Sequence, residues 1–380
     1  MHDYILWDAT CDYHLYLSQQ INISWFPDSE IISDRHLPEK FFNDTRKKVV
    51  LVDYAFGMLP HDWKYHDLSW VDLVVCLNTE MTNLNFNDFY NKATKDFNNK
   101  NVIFILSGIR LEDQSNCIPD RFYFPFLNFF HRVICANDQI SVEYNSARLF
   151  NIEALIGSKK YNRVFVFNKL KEFDLLETSL VSLVSLPDEA GKPNQIDDYE
   201  SSAVENLDDP DVVQFKKDAK DPYERYSFNQ VKNRHYKDSH YNVSMSQIIP
   251  VNVYKESWYS IVCETSMQTD LFLTEKTAKP LLGKRIFVSF SFPGHLKFLH
   301  SLGFRTFSDI IDESYDDEID LDSRLNKAWD QVLYLLKQDP NKMYAAVKDV
   351  LEHNKTTMQC ILQKDFHQVQ SFIKNHMDKL

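Results

Sequence analysis

The chain has 380 residues, 44% of them hydrophobic and 14% aromatic, and its charged residues, 26% of the total, sum to −13. That length implies two domains, the apolar content excludes wholesale disorder, and the acidity excludes a uniformly basic protein that coats nucleic acid. A polyanion partner would need its own local groove.

The first 160 residues alternate short apolar runs with polar, helix-compatible stretches. Tyr4 to Trp7, Val49 to Val52, Leu73 to Leu77, Val102 to Leu106 and Val133 to Cys135 are such runs, and most end in Asp, Asn, Ser or Gly. Runs of this length suit parallel strands buried on both faces, the strand part of a doubly wound α/β domain. A second series of predicted strands comprises Arg163 to Phe167, Ile248 to Val251, Tyr259 to Cys263 and Arg285 to Val288. Between them lies a polar insertion, 187–245. Its first part, 187–214, carries nine acidic residues and one Lys, which reads as a solvated loop. Its second part, 215–241, interleaves Lys216, Lys217, Lys220, Arg225, Lys232, Arg234 and Lys237 with Phe and Tyr. Toward the C-terminus, Leu325, Ala328, Trp329, Val332, Leu333 and Leu336 form one helical stripe ending before Asp339-Pro340, and a further pattern runs from Met343 to Ile373. Both stripes read as core packing.

Several chemistries are absent from the sequence. The seven glycines form no G-x-G-x-x-G or G-x-x-x-x-G-K-[ST] loop, and the six cysteines form no C-x-x-C pair. Dispersed cysteines of this kind suit a reducing compartment. The start, Met1-His2-Asp3-Tyr4, lacks the pattern of a signal peptide, and no apolar run approaches 18 residues, so a cytoplasmic protein is expected. The pairs His61/His66 and His235/His240 have the wrong spacing for one helical face, and the acidic cluster Asp316 to Asp322 lacks the glycine and terminal Glu of a calcium loop. No metal site is expected.

The informative stretch is Tyr259 to Phe307. A strand ends at Cys263, a polar loop follows, and Thr274-Glu275-Lys276 precedes Thr277 to Leu282, whose spacing suits a helix start with Thr274 as an acceptable N-cap. Lys276 and Lys279 would then stand near a helix N-terminus, where the dipole disfavours cations unless an anion compensates them. A diphosphate fits that description, and Glu275 could accept hydrogen bonds from the vicinal hydroxyls of a ribose. The same residues also suit a capped surface helix with a Glu–Lys pair.

The run C-E-T from Cys263, L-T-E-K-T-A-K-P-L-L from Leu273 and R-I-F-V from Arg285 resembles the donor-binding motif of α1,3-fucosyltransferase-like glycosyltransferases. Pro293, Gly294, Leu296, Leu299, Leu302, Gly303, Phe304, Thr306 and Phe307 resemble a following segment of the bacterial and phage-type members. The resemblance covers about residues 259–345. It implies a GT-B architecture: an acceptor domain at 1–158, a donor domain at 159–330 that holds the insertion, two Rossmann-like folds facing a central cleft, and helices at 331–380 packing across them. It further implies a nucleotide-diphosphate sugar as co-substrate with no obligatory cofactor or metal, in a bacterial cell or phage-infected host. Lys276 would contact the diphosphate, Glu275 the ribose or sugar, and Glu264 the donor, with Asn168 and Lys169 as a second phosphate element. Thr265 stands where the family has Asn, and Phe287 to Phe290 depart from its P-I-x-x-G strand ending, which leaves fucose open as the sugar.

An inverting transfer needs a base for the acceptor proton. Asp8, Asp12, Asp53, Glu112 and Asp113 all follow predicted strands, where parallel sheets bind ligands, and Asp12 and Asp53 rank first. Three functions follow. The leading one transfers a sugar to a saccharide. A phage-type DNA glycosyltransferase acting on a hydroxymethylated base would use Lys232, Arg234 and Lys237 on duplex DNA. A non-catalytic nucleotide-sugar or glycan-binding module is the third.

Overall fold

A continuous aliphatic run is stable as a strand only when both its faces are covered, and two parallel sheets provide that cover. The fold was taken from a computed structural model that describes residues 4–9, 26, 29–33, 38–54, 67–78, 86–110, 120–123, 125, 147–156, 160–183, 249, 251–267, 270–364 and 366–380. In the first sheet, β1 (Tyr4–Asp8), β2 (Ser29–Ser33), β3 (Lys47–Asp53), β4 (Leu73–Asn78) and β5 (Val102–Leu106) are joined by β7 (Arg121–Tyr123), while β6 (Gly108–Arg110) pairs elsewhere. The order is β2-β1-β3-β4-β5-β7, parallel throughout. Chain direction across the sheet reverses beside β1, so the carboxyl ends of β1 and β3 mark its switch point. One face of this sheet packs Trp7, Val50, Val52, Val74 and Phe104 against Phe41 of α1 (Glu39–Asn43) and Phe89, Ala93 and Phe97 of α2 (Phe86–Asp96).

The second sheet comprises β8 (Phe150–Ile156), β9 (Ser179–Leu183), β10 (Ser257–Cys263) and β12 (Phe287–Phe290), in the parallel order β12-β10-β8-β9. β11 (Asp270–Phe272) pairs antiparallel with β6. The helices that follow the first sheet are α3 (Tyr161–Glu172), α4 (Val251–Glu256), α5 (Glu275–Leu282), α6 (His295–Ser301), α7 (Leu321–Leu336), α8 (Pro340–Ala346), α9 (Lys348–Lys364) and α10 (Phe366–Met377). Two Rossmann-like parallel sheets with flanking helices and a helical C-terminal region are the elements of a GT-B-like architecture, as expected.

One expected strand is a helix, and the last residue of another begins one. Arg163 to Phe167 lies within α3, whose residues Asn162, Arg163, Val164, Val166, Phe167 and Leu170 are all buried. Burial on most sides removes the polar face that would have identified it as a helix. Val251 begins α4 rather than ending a strand. The expected strand at 133–135 and the insertion through residue 245 lie outside the described residues.

Unexpectedly, β8 buries the charged Glu153. The partner strand explains it: Ser260 sits opposite Glu153, and Arg285, itself fully buried, donates to Ser260 Oγ at 2.9 Å. Arg285 also donates to the carbonyls of Tyr254 and Ser257, at 2.9 and 2.5 Å, and to Ser257 Oγ at 2.9 Å. Burial raises the Glu153 pKa against the opposing pull of Arg285, Ser260 and Lys279. Beside this cluster the backbone approaches closely: a Cβ on Gly283 would lie 2.7 Å from Cε2 of Tyr254.

The chain divides into two compact units, 1–138 with 270–275 and 359–380, and 139–269 with 276–358. Helix α10 therefore belongs to the first unit. There Phe372 packs on Phe122 of β7 with ring centroids 5.4 Å apart, Lys47 Nζ donates to the Met377 carbonyl at 3.0 Å, and Val369, Ile373 and Met377 are buried.

Candidate binding site at the carboxyl edge of the second sheet

The order β12-β10-β8-β9 places β8 and β10 side by side, with the chain leaving β8 toward β9 and returning to the other side as β10. Ligand sites in open α/β sheets form at the carboxyl ends of such strands. Here the main chain is firmly held. Asn162, on the first turn of α3, donates through Nδ2 to the carbonyls of Glu264 and Phe290, at 3.0 and 2.7 Å, and so ties the ends of β10 and β12 together. Lys160 Nζ donates to the Thr265 carbonyl at 2.9 Å.

Glu264, immediately after β10, is fully buried. Its Oε2 accepts the Thr265 N–H at 3.0 Å and its Oε1 accepts the Thr277 hydroxyl at 2.5 Å, which ties the end of the strand to α5. Thr277 Oγ1 also lies 3.2 Å from His295 Nε2, and His295 Nδ1 lies 2.9 Å from Ser289 Oγ. Burial lowers the His295 pKa, against the opposing charges of Glu264 and Asp316. It likewise pushes the neighbouring Cys263 thiol up to about 12, which makes it a poor nucleophile.

Helix α5 reads EKTAKPLL, and seven of its eight residues are buried. The exception is Lys276, partly exposed, with Nζ 3.3 Å from the Oγ1 of Thr265, which is also partly exposed. An ammonium, a hydroxyl and the first turn of a helix thus meet at a solvent-accessible strand end. The two lysines of the motif part company: Lys279 is buried, and its charge acts on Glu153. Thr274 and Glu275 are buried at the start of the helix.

Helix α6, which follows β12, already holds an anion at its start. Asp316 accepts the N–H groups of Leu296 and Lys297, at 2.9 and 3.1 Å, and its carbonyl accepts that of Gly294 at 2.8 Å. Gly294 takes φ 81° there, a conformation that favours glycine.

The other expected site residues lie elsewhere. Asn168 is exposed on α3, and Lys169, about 10 Å along that helix from Asn162, pairs with Glu172 at 2.9 Å beside the rings of Phe165 and Phe173. Asp53 is the last residue of β3, at the switch point of the first sheet, where the buried Asp8 closes β1. Asp12, Glu112, Asp113, Lys232, Arg234 and Lys237 lie outside the described residues. Sequence reasoning missed Lys160, Asn162, Ser289 and His295. The one available signal was their position as polar residues beside apolar strand ends.

Among the described residues, no group of three or more His, Cys, Asp or Glu side chains is placed to hold a metal ion, and no helix is long and apolar enough to cross a membrane. No family model matches the sequence, and no curated protein matches it. Among solved structures, an alpha1,3-fucosyltransferase with GDP-fucose aligns with 92% of this chain and 90% of its own, at 11% sequence identity and a TM-score of 0.35. That likeness is distant.

Proposed function

We propose that the protein is a glycosyltransferase that moves a sugar from a nucleoside-diphosphate sugar to an acceptor hydroxyl, with Lys276, Thr265 and the first turn of α5 receiving the diphosphate. The observation that carries this reading is the exposure of Lys276 alone on an otherwise buried α5, beside the Thr265 hydroxyl, at the carboxyl end of a doubly wound sheet. A cation, a hydroxyl and the first turn of a helix can form an anion site without a glycine-rich loop.

The chemistry follows from charge. As the bond between the anomeric carbon and the diphosphate oxygen breaks, negative charge grows on the leaving group, and a fixed ammonium stabilises it there. Glu264, buried, acts through Thr265 and Thr277 by holding the strand end against the helix. Glu275 is assigned to the ribose hydroxyls. In an inverting reaction the acceptor hydroxyl passes its proton to a carboxylate, for which Asp53 and Asp12 are the proposed bases. A saccharide is the proposed acceptor.

The test is incubation with a panel of UDP-, GDP- and CMP-sugars, with released nucleotide measured and products weighed by mass spectrometry. Glycans and duplex DNA bearing hydroxymethylated bases serve as alternative acceptors. Turnover of a UDP- or GDP-sugar with a glycan is expected. Glycosylated DNA would reassign the acceptor, tight nucleotide binding without turnover would make the protein a binding module, and no binding at all would refute the reading.

A further inference from the structure

Ser289, His295, Thr277 and Glu264, all buried, form one chain of hydrogen bonds whose protons can be counted. The Glu264 carboxylate only accepts, so the single hydroxyl proton of Thr277 is committed to Oε1 at 2.5 Å. Thr277 Oγ1 must then accept from His295, which places the imidazole proton on Nε2. Burial favours the neutral ring, so Nδ1 carries no proton and accepts the Ser289 hydroxyl. Donation therefore runs one way, from Ser289 on β12 through His295 at the start of α6 and Thr277 on α5 to Glu264 after β10. It ends on the carboxylate whose other oxygen holds the Thr265 N–H, and the Thr265 hydroxyl stands 3.3 Å from Lys276 Nζ.

We propose that His295 is a positioning residue of the diphosphate site: as the Nε2–H tautomer, it orients Thr277 on Glu264 and thereby fixes Thr265 and the first turn of α5 beside Lys276. This inference rests on the reading of Lys276 and Thr265 as diphosphate ligands. Hydrophobic residues of similar volume would fill the same space without the cost of burying a carboxylate and an imidazole. What the polar chain adds is direction, since each of its hydrogen bonds has one allowed donor and one allowed acceptor.

The experiment separates donor from bulk. In His295→Gln an amide N–H occupies the Nε2 position and can still donate to Thr277, whereas His295→Asn is too short to do so. Binding of UDP and of GDP to the full chain is measured by calorimetry, alongside urea unfolding. With whichever nucleotide the wild type binds, His295→Asn and Thr277→Val are expected to weaken binding about tenfold, the size of one lost hydrogen bond. His295→Gln is expected to stay within about threefold of wild type, and the Asn/Val double variant to be no weaker than Thr277→Val alone. Equal losses for Gln and Asn, additive losses in the double variant, or reduced stability with unchanged affinity would overturn the proposal. Should His295→Asn fail to fold, nitrogen NMR of the wild-type imidazole decides instead, with an Nε2–H tautomer supporting the proposal and an Nδ1–H tautomer overturning it. A wild type that binds neither nucleotide defeats the diphosphate reading itself. A wild type that binds, is weakened by Lys276→Ala and is indifferent to His295→Asn defeats only the role of His295.

Discussion

Replacing Lys276 with Ala tests the diphosphate site directly, because Lys279, three residues on, supplies a control on the same helix. Two unit charges 4 Å apart interact by about 4 kcal/mol near a protein surface and by about 1 kcal/mol in water. Lys276 is partly exposed, so its contribution falls between these limits, at about 2 kcal/mol, within the range for a hydrogen bond to a charged group. That corresponds to about a 30-fold loss of affinity for a nucleoside diphosphate. Stability should change by less than about 1 kcal/mol, since the contact with Thr265 Oγ1 is long and part-exposed. Lys279→Ala should do the reverse. It removes a buried charge that acts on Glu153, and should lower stability by about 1–3 kcal/mol while leaving affinity within about threefold. Calorimetric titration with UDP and GDP at low and high salt, with urea unfolding of each variant, reads both quantities. If both lysines weaken binding equally, or if Lys276→Ala binds as wild type does, the assignment of Lys276 to the phosphates fails.

Arg285→Ala should cost about 3–5 kcal/mol in urea unfolding, because it removes the positive charge that compensates a buried carboxylate and the donor to two main-chain carbonyls; a loss below about 1 kcal/mol would contradict the packing described. Gly283→Ala should destabilise by about 1–3 kcal/mol, since the added methyl meets the Tyr254 ring at 2.7 Å and the Lys279 carbonyl at 3.0 Å; a neutral result would mean that α4 gives way. His295 makes stability depend on pH with a definite sign. Its folded pKa lies below the unfolded value of about 6.5, so its share of stability is present above that value and is lost as pH falls from there toward the folded pKa, at up to about 1.4 kcal/mol per pH unit. His295→Gln should flatten that acid slope in urea titrations at a series of pH values, and an unchanged slope would show that other groups set it.

What could be read from the residues divides along a physical line. The runs at Val49, Leu73, Val102, Tyr259 and Phe287 were legible because strands covered on both faces admit little except aliphatic and aromatic side chains. RVFVF at Arg163 follows the same composition rule and is a helix, since four or five apolar residues cannot distinguish a buried helix from a buried strand. FNIEALI at Phe150 has its apolar run broken by Asn151 and Glu153, and the cation that compensates Glu153, Arg285, is 132 residues away. In the candidate site, Lys276 is singled out by local spacing and by the resemblance of its neighbours to a known motif, and its role there is the one proposed above. The burial of Glu264 and Lys279 was not, because it depends on what three other elements bring against them. Asn162, Ser289 and His295 gave no sign for the same reason: each acquires its role only when separate strand ends meet.

The division of the chain constrains how the protein can be made. Because residues 359–380 belong to the first unit, the sheet begun by Tyr4 waits for helix α10 until synthesis has passed residue 377. A nascent chain stopped at residue 358 would carry every strand of that sheet yet leave Phe122 and the Lys47 ammonium without Phe372 and the Met377 carbonyl. Removing residues 359–380 is therefore an injury to the sheet that Tyr4 begins, although none of its strands is deleted.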